Sequence, residues 1–389
     1  MNYDVLVIGC GLSGAVCARQ LADTGKKVCI LERRNHIGGN MYDYKNKEGI
    51  LVQKYGPHTF HTDKKMLYEY ICKYSGWKEF RLNCGTFMNG KYTPMPFNFE
   101  TIDIFYEKAE AEVIKRTLKQ SYPDQTTVSI LELLQHPNEE IKKYAIFLYE
   151  NDYKLYTAKQ WGMHPKDIDP NVLKRVPVRL NYRTGYFDDA YQVMPEISYT
   201  AFFEKLLDSP CIDVRLNTDA GSEISLNETT GNILYQNRIF EGYVIYTGPV
   251  DELFQMKYGA LPYRSLEFKW KTEQVKSFQM DPVVAYPQAK GFTRITEYTK
   301  LPVQDVGDVT AYAVEYPIPY IEGRHVEPYY PVQTEESGKQ HLKYRKLASK
   351  YKNLYLCGRL ADFQYYNMDQ ALKKALETVE QINSSTIER

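Results

Sequence analysis

The sequence predicts an α/β fold interrupted by two insertions, and three patterns support this. Residues 3–9 and 27–32 are short apolar runs, and residues 13–24 between them place apolar side chains at helical spacing. This is the pattern of a β-α-β unit with buried parallel strands. Residues 101–155 are dominated by helical periodicity, which predicts a small helical bundle. Residues 264–320 alternate apolar and polar side chains, as antiparallel strands with one solvated face do.

The other predicted elements follow from the same two periods and from glycine and proline breaks. They are a helix at 63–77, a hairpin within 79–98, helices at 101–120, 129–135, 138–155 and 200–207, strands at 212–216, 243–248 and 354–358, and a helix at 367–382. Apolar strands thus recur near 212–248 and again close to the C-terminus. We therefore expect one parallel sheet built from distant parts of the chain.

Composition excludes several classes of protein. The 389 residues allow two or three domains, and 49 basic against 49 acidic side chains argue against bulk nucleic-acid binding. The seven cysteines are scattered without a C-x-x-C pair, which disfavours a disulfide framework or a zinc site. No apolar run reaches the ~18 residues of a membrane span, and no signal peptide precedes the first strand. We expect a cytoplasmic protein.

A glycine motif follows the first strand directly. Gly9-x-Gly11-x-x-Gly14 stands between that strand and a predicted helix, with Leu12 and Ser13 inside the motif. Such glycines allow a tight turn, close approach of a pyrophosphate and helix–strand packing. Glu32 ends the second strand, where an acidic side chain can bind a ribose hydroxyl. The sequence therefore predicts a Rossmann-like dinucleotide site.

The segment after Glu32 indicates which dinucleotide binds. It reads Glu32-Arg33-Arg34-x-x-x-Gly38-Gly39-Asn40 and resembles FAD enzymes of the amine-oxidase-like superfamily. In that superfamily a C-terminal strand and helix, here 354–371, complete the site. The resemblance implies FAD as the cofactor. An H-x-x-H pair, His58 and His61, lies on a segment without further ligand residues, so we expect no metal and a structural role near the cofactor.

Several short motifs then occur in order along the chain. They are YGPHTFHT at 55–62, YTAKQWG at 156–162, LKRVPVR at 173–179, TRITE at 293–297, YYP at 329–331, GRL at 358–360 and YYNMDQ at 365–370. Together they resemble the UDP-galactopyranose mutase family over nearly the full length. The resemblance implies isomerisation of UDP-galactopyranose to UDP-galactofuranose without net redox. In that family N5 of the reduced flavin attacks the anomeric carbon, UDP leaves, and the sugar ring opens and recloses.

The resemblance also implies a domain plan and partners. The FAD-binding domain would comprise 1–78, 197–255 and 338–389, and the helical domain 99–170. The antiparallel-sheet domain would comprise 79–98, 171–196 and 256–337, with a mobile loop near 171–185. A homodimer, a reductant such as NAD(P)H and a role in cell-surface polysaccharide synthesis are implied as well.

Matched motifs assign residues by position. Arg175 corresponds to the family's mobile-loop arginine and Arg294 to its fixed one, and permanent cations suit a departing diphosphate. Tyr156, Thr157 and Trp161 match the uridine end of the substrate site. The remaining matches are to the diphosphate and sugar (Asn83, Tyr186, Tyr330, Tyr365) and to the cofactor (Gly39, Asn40, His58, Arg359, Tyr366, Asn367, Met368, Asp369, Gln370), with Arg33 also predicted to bind cofactor.

Two alternatives remain open on the residues. An FAD oxidase or dehydrogenase of the amine-oxidase-like superfamily would share the N-terminal motif, and a non-catalytic nucleotide-binding protein would share the fold. Neither calls for the arginine and tyrosine motifs. The chain departs from the family at Ala285, at 195–200 and at Asn367. The first two departures leave room for a different UDP-hexopyranose.

Overall fold

The computed structural model describes residues 3–162, 176–321 and 326–387, with side chains up to residue 384. The predicted loop residue Arg175 lies outside the described residues. Within them the predicted α/β fold is confirmed: five parallel strands form one sheet. In spatial order these strands are Ile212–Arg215, Val28–Leu31, Val5–Ile8, Tyr243–Tyr246 and Leu354–Leu356.

Both faces of this sheet are covered, because the strand side chains alternate between two apolar clusters. Val5 and Val7 face the helices Leu12–Ala22, Met368–Ile387 and Tyr199–Leu207. Leu6 and Ile8 face the opposite layer. That layer consists of a small sheet (Ile224–Asn227, Asn232–Tyr235, Arg238–Ile239) and the helices Ala220–Glu223, Val250–Leu253 and Glu335–Ala348.

The predicted helical region forms a cluster of its own around Phe97, Ile114 and Tyr144. The prediction of one continuous helix at 101–120 is wrong. Tyr106 is extended (φ −118°, ψ 150°) and separates two helices. The helix predicted at 138–155 ends at Leu148, where a π-helical turn follows. The helices and the turn are Phe99–Phe105, Lys108–Ser121, Ile130–Leu134, Glu139–Leu148, Tyr149–Tyr153 (π) and Lys154–Trp161.

A seven-stranded sheet forms the third part of the fold. Its order is Tyr330–Pro331, Tyr263–Glu273, Thr310–Pro319, Arg294–Glu297, Val283–Ala285, Cys84–Met88 and Lys91–Met95. The pairing is antiparallel except between Val283–Ala285 and Cys84–Met88, which run parallel. A solvated face was predicted for every strand of 264–320, and this is wrong for Thr310–Pro319. Its residues from Thr310 to Glu315 are all buried, because Glu315 pairs with Arg294 while the Phe278 ring covers Tyr312 at 4.0 Å.

Smaller elements join these parts. They are the paired strands Asp43–Lys45 and Leu51–Gln53, the strands Phe60–Thr62, Tyr191–Pro195 and Trp77–Glu79, the pair Thr127–Val128 and Val178–Arg179, the 3₁₀ turn Gly39–Met41 and the helix Lys65–Cys72. The helix Glu335–Ala348 was not predicted, although Thr334 and Ser337 form a capping box at its start. Of the helices in the described ranges, none combines the length and apolarity that crossing a membrane requires.

Candidate functional site

The glycine loop is shaped by contacts that exclude side chains. A Cβ atom on Gly14 would lie 2.0 Å from the carbonyl oxygen of Gly9, and one on Gly9 would lie 2.2 Å from Oγ1 of Thr247. Gly9 also has a φ of +98°, a conformation that favours glycine. The helix that follows begins at Leu12 and has no side-chain cap. Its first N–H groups are therefore open to an anion.

Glu32 lies at the end of the second strand and is 5% exposed. Its Oε2 accepts a hydrogen bond from the Cys10 N–H at 2.7 Å, and its Oε1 accepts one from the Arg34 N–H at 2.9 Å. A carboxylate has about four acceptor positions, so two backbone donors leave room for a hydroxyl donor. This arrangement fits the predicted contact with a ribose.

Gly39, in the second glycine motif, lies against Gly11 of the first. A Cβ atom on Gly39 would lie 2.7 Å from Cα of Gly11, so the two backbones approach too closely for a side chain. Asn40 accepts a hydrogen bond from Arg34 at 3.0 Å. Arg34 was not among the predicted site residues, yet it contacts both Asn40 of this loop and Glu327 elsewhere in the site.

These loops open on a cavity of about 450 Å³, a size usual for small-molecule sites. Fourteen of the sixteen predicted cofactor residues line it: Gly9, Gly11, Leu12, Ser13, Gly14, Glu32, Arg33, Gly39, Asn40, His58, Arg359, Tyr366, Asn367 and Met368. The other two, Asp369 and Gln370, do not belong to the described lining. Asp369 instead accepts a hydrogen bond from Thr62 at 3.1 Å, and Gln370 accepts one from the Asn367 N–H at 2.9 Å.

Sequence reasoning missed part of the lining. Thr247 and Gly248 line the cavity because they follow a parallel strand at its carboxyl end, a position at which ligands bind in such sheets. Glu327 was also missed, and it pairs with Arg33 at 3.0 Å and with Arg34 at 2.8 Å. Burial would raise the pKa of Glu327, but the two guanidinium groups outweigh this and lower it.

His58 presents a neutral ring to the cavity. Its Nδ1 lies 2.8 Å from the carbonyl oxygen of Gly56, so Nδ1 carries the proton and Nε2 is an acceptor. Burial, aided by Arg359 and Arg294, lowers the pKa of His58 to about 4. His61 has separate partners, since its Nδ1 lies 2.9 Å from Asp189.

Arg294 lies in the seven-stranded sheet and is anchored by a buried carboxylate. Its Nε donates to Oε2 of Glu315 at 2.7 Å, and the Glu315 side chain is 1% exposed. Burial would lower the pKa of Arg294, but Glu315, followed by the nearby Tyr156 and Tyr330, raises it well above its usual value. The guanidinium is therefore a fixed, permanent cation.

Aromatic rings connect this cation to the cavity. The Tyr330 ring stacks on Tyr365 with centroids 5.9 Å apart, and the Trp161 ring lies 6.5 Å from Tyr330. The Arg359 guanidinium lies 5.5 Å from the Tyr330 centroid and 4.8 Å from the Tyr365 centroid. Because Arg359 also lines the cavity, the glycine-rich site and the aromatic group adjoin.

The helix Lys154–Trp161 supplies the predicted uridine residues. Thr157 is buried, and burial raises the pKa of Tyr156 to about 12 with Arg294 opposing the shift. Tyr156 is therefore a neutral hydroxyl donor near the cation.

Two further predicted residues, Asn83 and Tyr186, lie next to each other. The Tyr186 N–H donates to the carbonyl oxygen of Leu82 at 2.6 Å, which places Tyr186 beside the exposed Asn83. The Tyr186 ring packs edge-to-face on Phe187 at 4.9 Å. The predicted grouping of both residues with the Trp161–Tyr330–Tyr365 rings stays a prediction.

Comparison with known proteins places this site in a family. Residues 151–365 match the family model described as UDP-galactopyranose mutase. The chain belongs to the UDP-galactopyranose mutase family. Residues 7–72 match a model for NAD(P)-binding Rossmann-like domains, in agreement with the glycine loop. The predicted family is thus confirmed, and the oxidase alternative is not the family that matches.

Individual relatives are similar to this chain over nearly its full length. A UDP-galactopyranose mutase from Mycoplasma genitalium is 36% identical and covers 98% of this chain and 95% of its own. A dTDP-fucopyranose mutase from Escherichia coli is 33% identical over 96% of both chains. A crystal structure of a reduced UDP-galactopyranose mutase superposes with a TM-score of 0.72 at 15% identity, covering 98% of this chain and 96% of that one. This last similarity supports the fold.

Proposed function

We propose that this protein is an FAD-dependent isomerase that interconverts UDP-galactopyranose and UDP-galactofuranose with no net oxidation or reduction. The observation that carries the proposal is the position of Arg359. It lines the glycine-rich cavity and also packs against Tyr330 and Tyr365, beside which Arg294 lies. A cofactor in the cavity would therefore border a site suited to a diphosphate and a sugar.

The residues present fit FAD. The N–H groups at the start of the Leu12–Ala22 helix would hold the pyrophosphate, and Glu32 would accept a ribose hydroxyl. The closely approaching Gly11 and Gly39 leave backbone rather than side chains at the cavity wall. Reduced FAD would supply the nucleophile for the anomeric carbon, which is chemistry that the protein itself need not provide.

The chain's own residues would bind the substrate and balance its charge. Arg294 would bind the diphosphate with fixed geometry, and Arg175 is proposed as a second cation. Negative charge grows on the nucleotide as its bond to the sugar breaks, so these contacts would strengthen toward the transition state. Tyr156, Thr157 and Trp161 are proposed to hold the nucleoside. Asn83, Tyr186, Tyr330 and Tyr365 are proposed to contact the diphosphate and sugar.

Several finer features of the proposal rest on the family alone. We propose a cytoplasmic homodimer that is reduced by NAD(P)H and supplies a sugar for cell-surface polysaccharide. We also propose the three-part domain division given above, with the cofactor domain formed by 1–78, 197–255 and 338–389.

The test is to incubate purified protein with UDP-galactose, with and without dithionite, and to separate the products by HPLC. We expect conversion only by the reduced enzyme, because N5 of oxidised flavin is an electron-poor imine nitrogen, whereas N5 of reduced flavin is a nucleophilic amine. A parallel incubation with dTDP-fucose decides which of the two nucleotide sugars is preferred, since the relatives include mutases of both kinds. Equal conversion by air-oxidised enzyme, or one NADPH consumed per sugar, would contradict the proposal.

A further inference from the structure

Lys159 is a half-buried cation that lies outside the roles described so far. Its Nζ donates to three backbone carbonyl oxygens, those of Tyr286 at 2.7 Å, Ala289 at 2.9 Å and Phe292 at 2.8 Å. We call this arrangement the carbonyl cage. An ammonium has three donors, so the cage satisfies all of them. In the part of the chain that the structure describes, no carboxylate forms an ion pair with Lys159.

The carbonyl cage joins two elements of the proposed substrate site. Lys159 lies on the helix Lys154–Trp161, three residues after Tyr156 and two before Trp161. The three carbonyls belong to the turn 286–292, which leads directly into the strand that begins at Arg294. The ammonium therefore connects the helix that carries Tyr156 and Trp161 to the hairpin that carries Arg294.

A second buried contact lies between the same parts. Asp152 precedes this helix and is 3% exposed, and it accepts a hydrogen bond from Thr86 at 2.8 Å. Oγ1 of Thr86 also lies 3.3 Å from the carbonyl oxygen of Ala285, at the start of the turn. Burial lowers the pKa of Lys159 to about 8, and Asp152 opposes the shift. A cation that is partly withdrawn from water needs polar partners in place of water, and the cage provides them.

We propose that Lys159 is a positioning residue that sets the place of Arg294 relative to Tyr156 and Trp161 through the carbonyl cage. This inference rests on the proposed function, in which Arg294 binds the diphosphate of the substrate. Lys159 acts on substrate through Arg294. Its removal should therefore have little further effect once Arg294 is gone.

The first measurement does not depend on substrate. Hydrogen exchange of the backbone amides in residues 286–294 is compared in wild type, Lys159→Met, Lys159→Arg and Lys154→Met, all as FAD-loaded protein. Lys154 is the matched control because it lies on the same helix but pairs with Glu150 near the surface. We expect faster exchange only in Lys159→Met. Unchanged exchange in Lys159→Met would overturn the inference, whether or not the protein is a mutase.

The second measurement is a double-mutant cycle on UDP affinity, read by titration with UDP alone. Lys159→Met and Arg294→Ala should each weaken binding by about 10-fold, or about 1.4 kcal/mol. The double variant should bind no more than about 2-fold more weakly than Arg294→Ala, because interacting residues are not additive. Lys159→Arg should stay within about 3-fold of wild type, since a guanidinium also donates to carbonyls.

Losses that simply add would show that Lys159 acts independently of Arg294 and would overturn the inference. If Lys159→Met does not fold as holoenzyme, Lys159→Gln takes its place in both measurements, because an amide keeps two donors without the charge. If the wild type binds UDP but does not isomerise UDP-galactose, the proposed function is refuted. The double-mutant cycle on UDP affinity would still decide the role of Lys159.

Discussion

Single residues in the proposed substrate site are held in place by partners distant in sequence. The Glu315 carboxylate accepts a hydrogen bond from Nε of Arg294, which fixes the guanidinium plane. Among the described residues no side chain occupies the two terminal nitrogens, so these can donate to an anion. Nη2 of Arg294 lies 3.9 Å from the point where a Cβ on Gly56 would stand, and glycine leaves that space open. A donor fixed in advance needs no reorganisation when charge develops on the substrate.

Replacing Arg294 tests this arrangement directly. Arg294→Ala should lower turnover of UDP-galactose by at least ~10-fold with FAD content unchanged, because a charge-assisted contact to phosphate contributes about 1.5–3 kcal/mol. Arg294→Lys should restore part of the loss, since it keeps the charge but not the fork. The control is Arg183→Ala, whose side chain is half exposed. Wild-type turnover in Arg294→Ala would show that the assignment is wrong.

We expect His36 to make the stability of the protein depend on pH. Burial, aided by Arg34 and Lys54, lowers the pKa of His36 to about 4, and its Nε2 lies 2.7 Å from the Tyr55 hydroxyl. An unfolded histidine has a pKa of about 6.5, so unfolding takes up a proton as the pH falls through this window and stability is lost.

We expect the free energy of unfolding of wild type to fall by about 2 kcal/mol between pH 7 and pH 5 because of His36 alone. Tyr42 stacks on His36 at 3.8 Å, and His36→Phe keeps a ring in that position. The stability of this variant should therefore fall by about 2 kcal/mol less than that of wild type over the same pH range. Urea unfolding at the two pH values measures the difference. The same pH dependence in both proteins would contradict this origin.

At the scale of elements, the first helix is positioned by its contact with the first strand. Gly14 lies in the first turn of that helix against the Gly9 carbonyl, and Val7 is next to it. Close packing at this point aims the helix N-terminus at the cavity. The same helix packs against Met368–Ile387, whose first residue, Met368, also lines the cavity. Two helices from opposite ends of the chain thus share one site.

Gly14→Ala should separate this helix from its strand. The new Cβ would overlap the Gly9 carbonyl, and overpacking of this kind costs about 1–3 kcal/mol. We expect a lower FAD content after purification, measured by the absorbance ratio of flavin to protein, and a lower Tm. The matched control is Gly338→Ala, a helical glycine whose added Cβ would meet no atom within 4 Å. An unchanged FAD content in Gly14→Ala would contradict the proposed cradle.

At the scale of the whole molecule, the cavity depends on segments spread along the chain. Its lining comes from near residues 9–14, 32–41, 218–228, 246–255, 327–329 and 358–371. The ends of parallel strands contribute several of these segments because their carboxyl ends meet at one edge of the sheet. A ligand that touches all of them stabilises the folded arrangement as a unit.

Removal of FAD should therefore lower the thermal midpoint of the entire protein. Adding FAD back at 100 times its dissociation constant should restore about 2.7 kcal/mol of stability, because it binds the folded state alone. Differential scanning fluorimetry follows the midpoint, and NAD at the same concentration serves as the control. Stabilisation by NAD but not by FAD would contradict the cofactor assignment.

Sequence alone determined the local features of this protein. The strand, glycine loop, helix and Glu32 are close in sequence and obey local rules, so their structure follows from periodicity and from the conformations open to glycine. The two continuous helices predicted at 101–120 and 138–155 are interrupted in the structure, because side-chain packing outweighs helix propensity at those points. Tyr106 leaves the helix and packs on Tyr144, and the π-helical turn buries Asp152.

Only the tertiary structure decided which distant residues meet. The pairing of Arg294 with Glu315, the stack of Tyr330 on Tyr365 and the carbonyl cage around Lys159 join residues 21 to 133 positions apart. No periodicity encodes such contacts, because they depend on how the helical part docks on the seven-stranded sheet. Lys159 also binds backbone carbonyls, which every residue carries, so the sequence offers no signal for them.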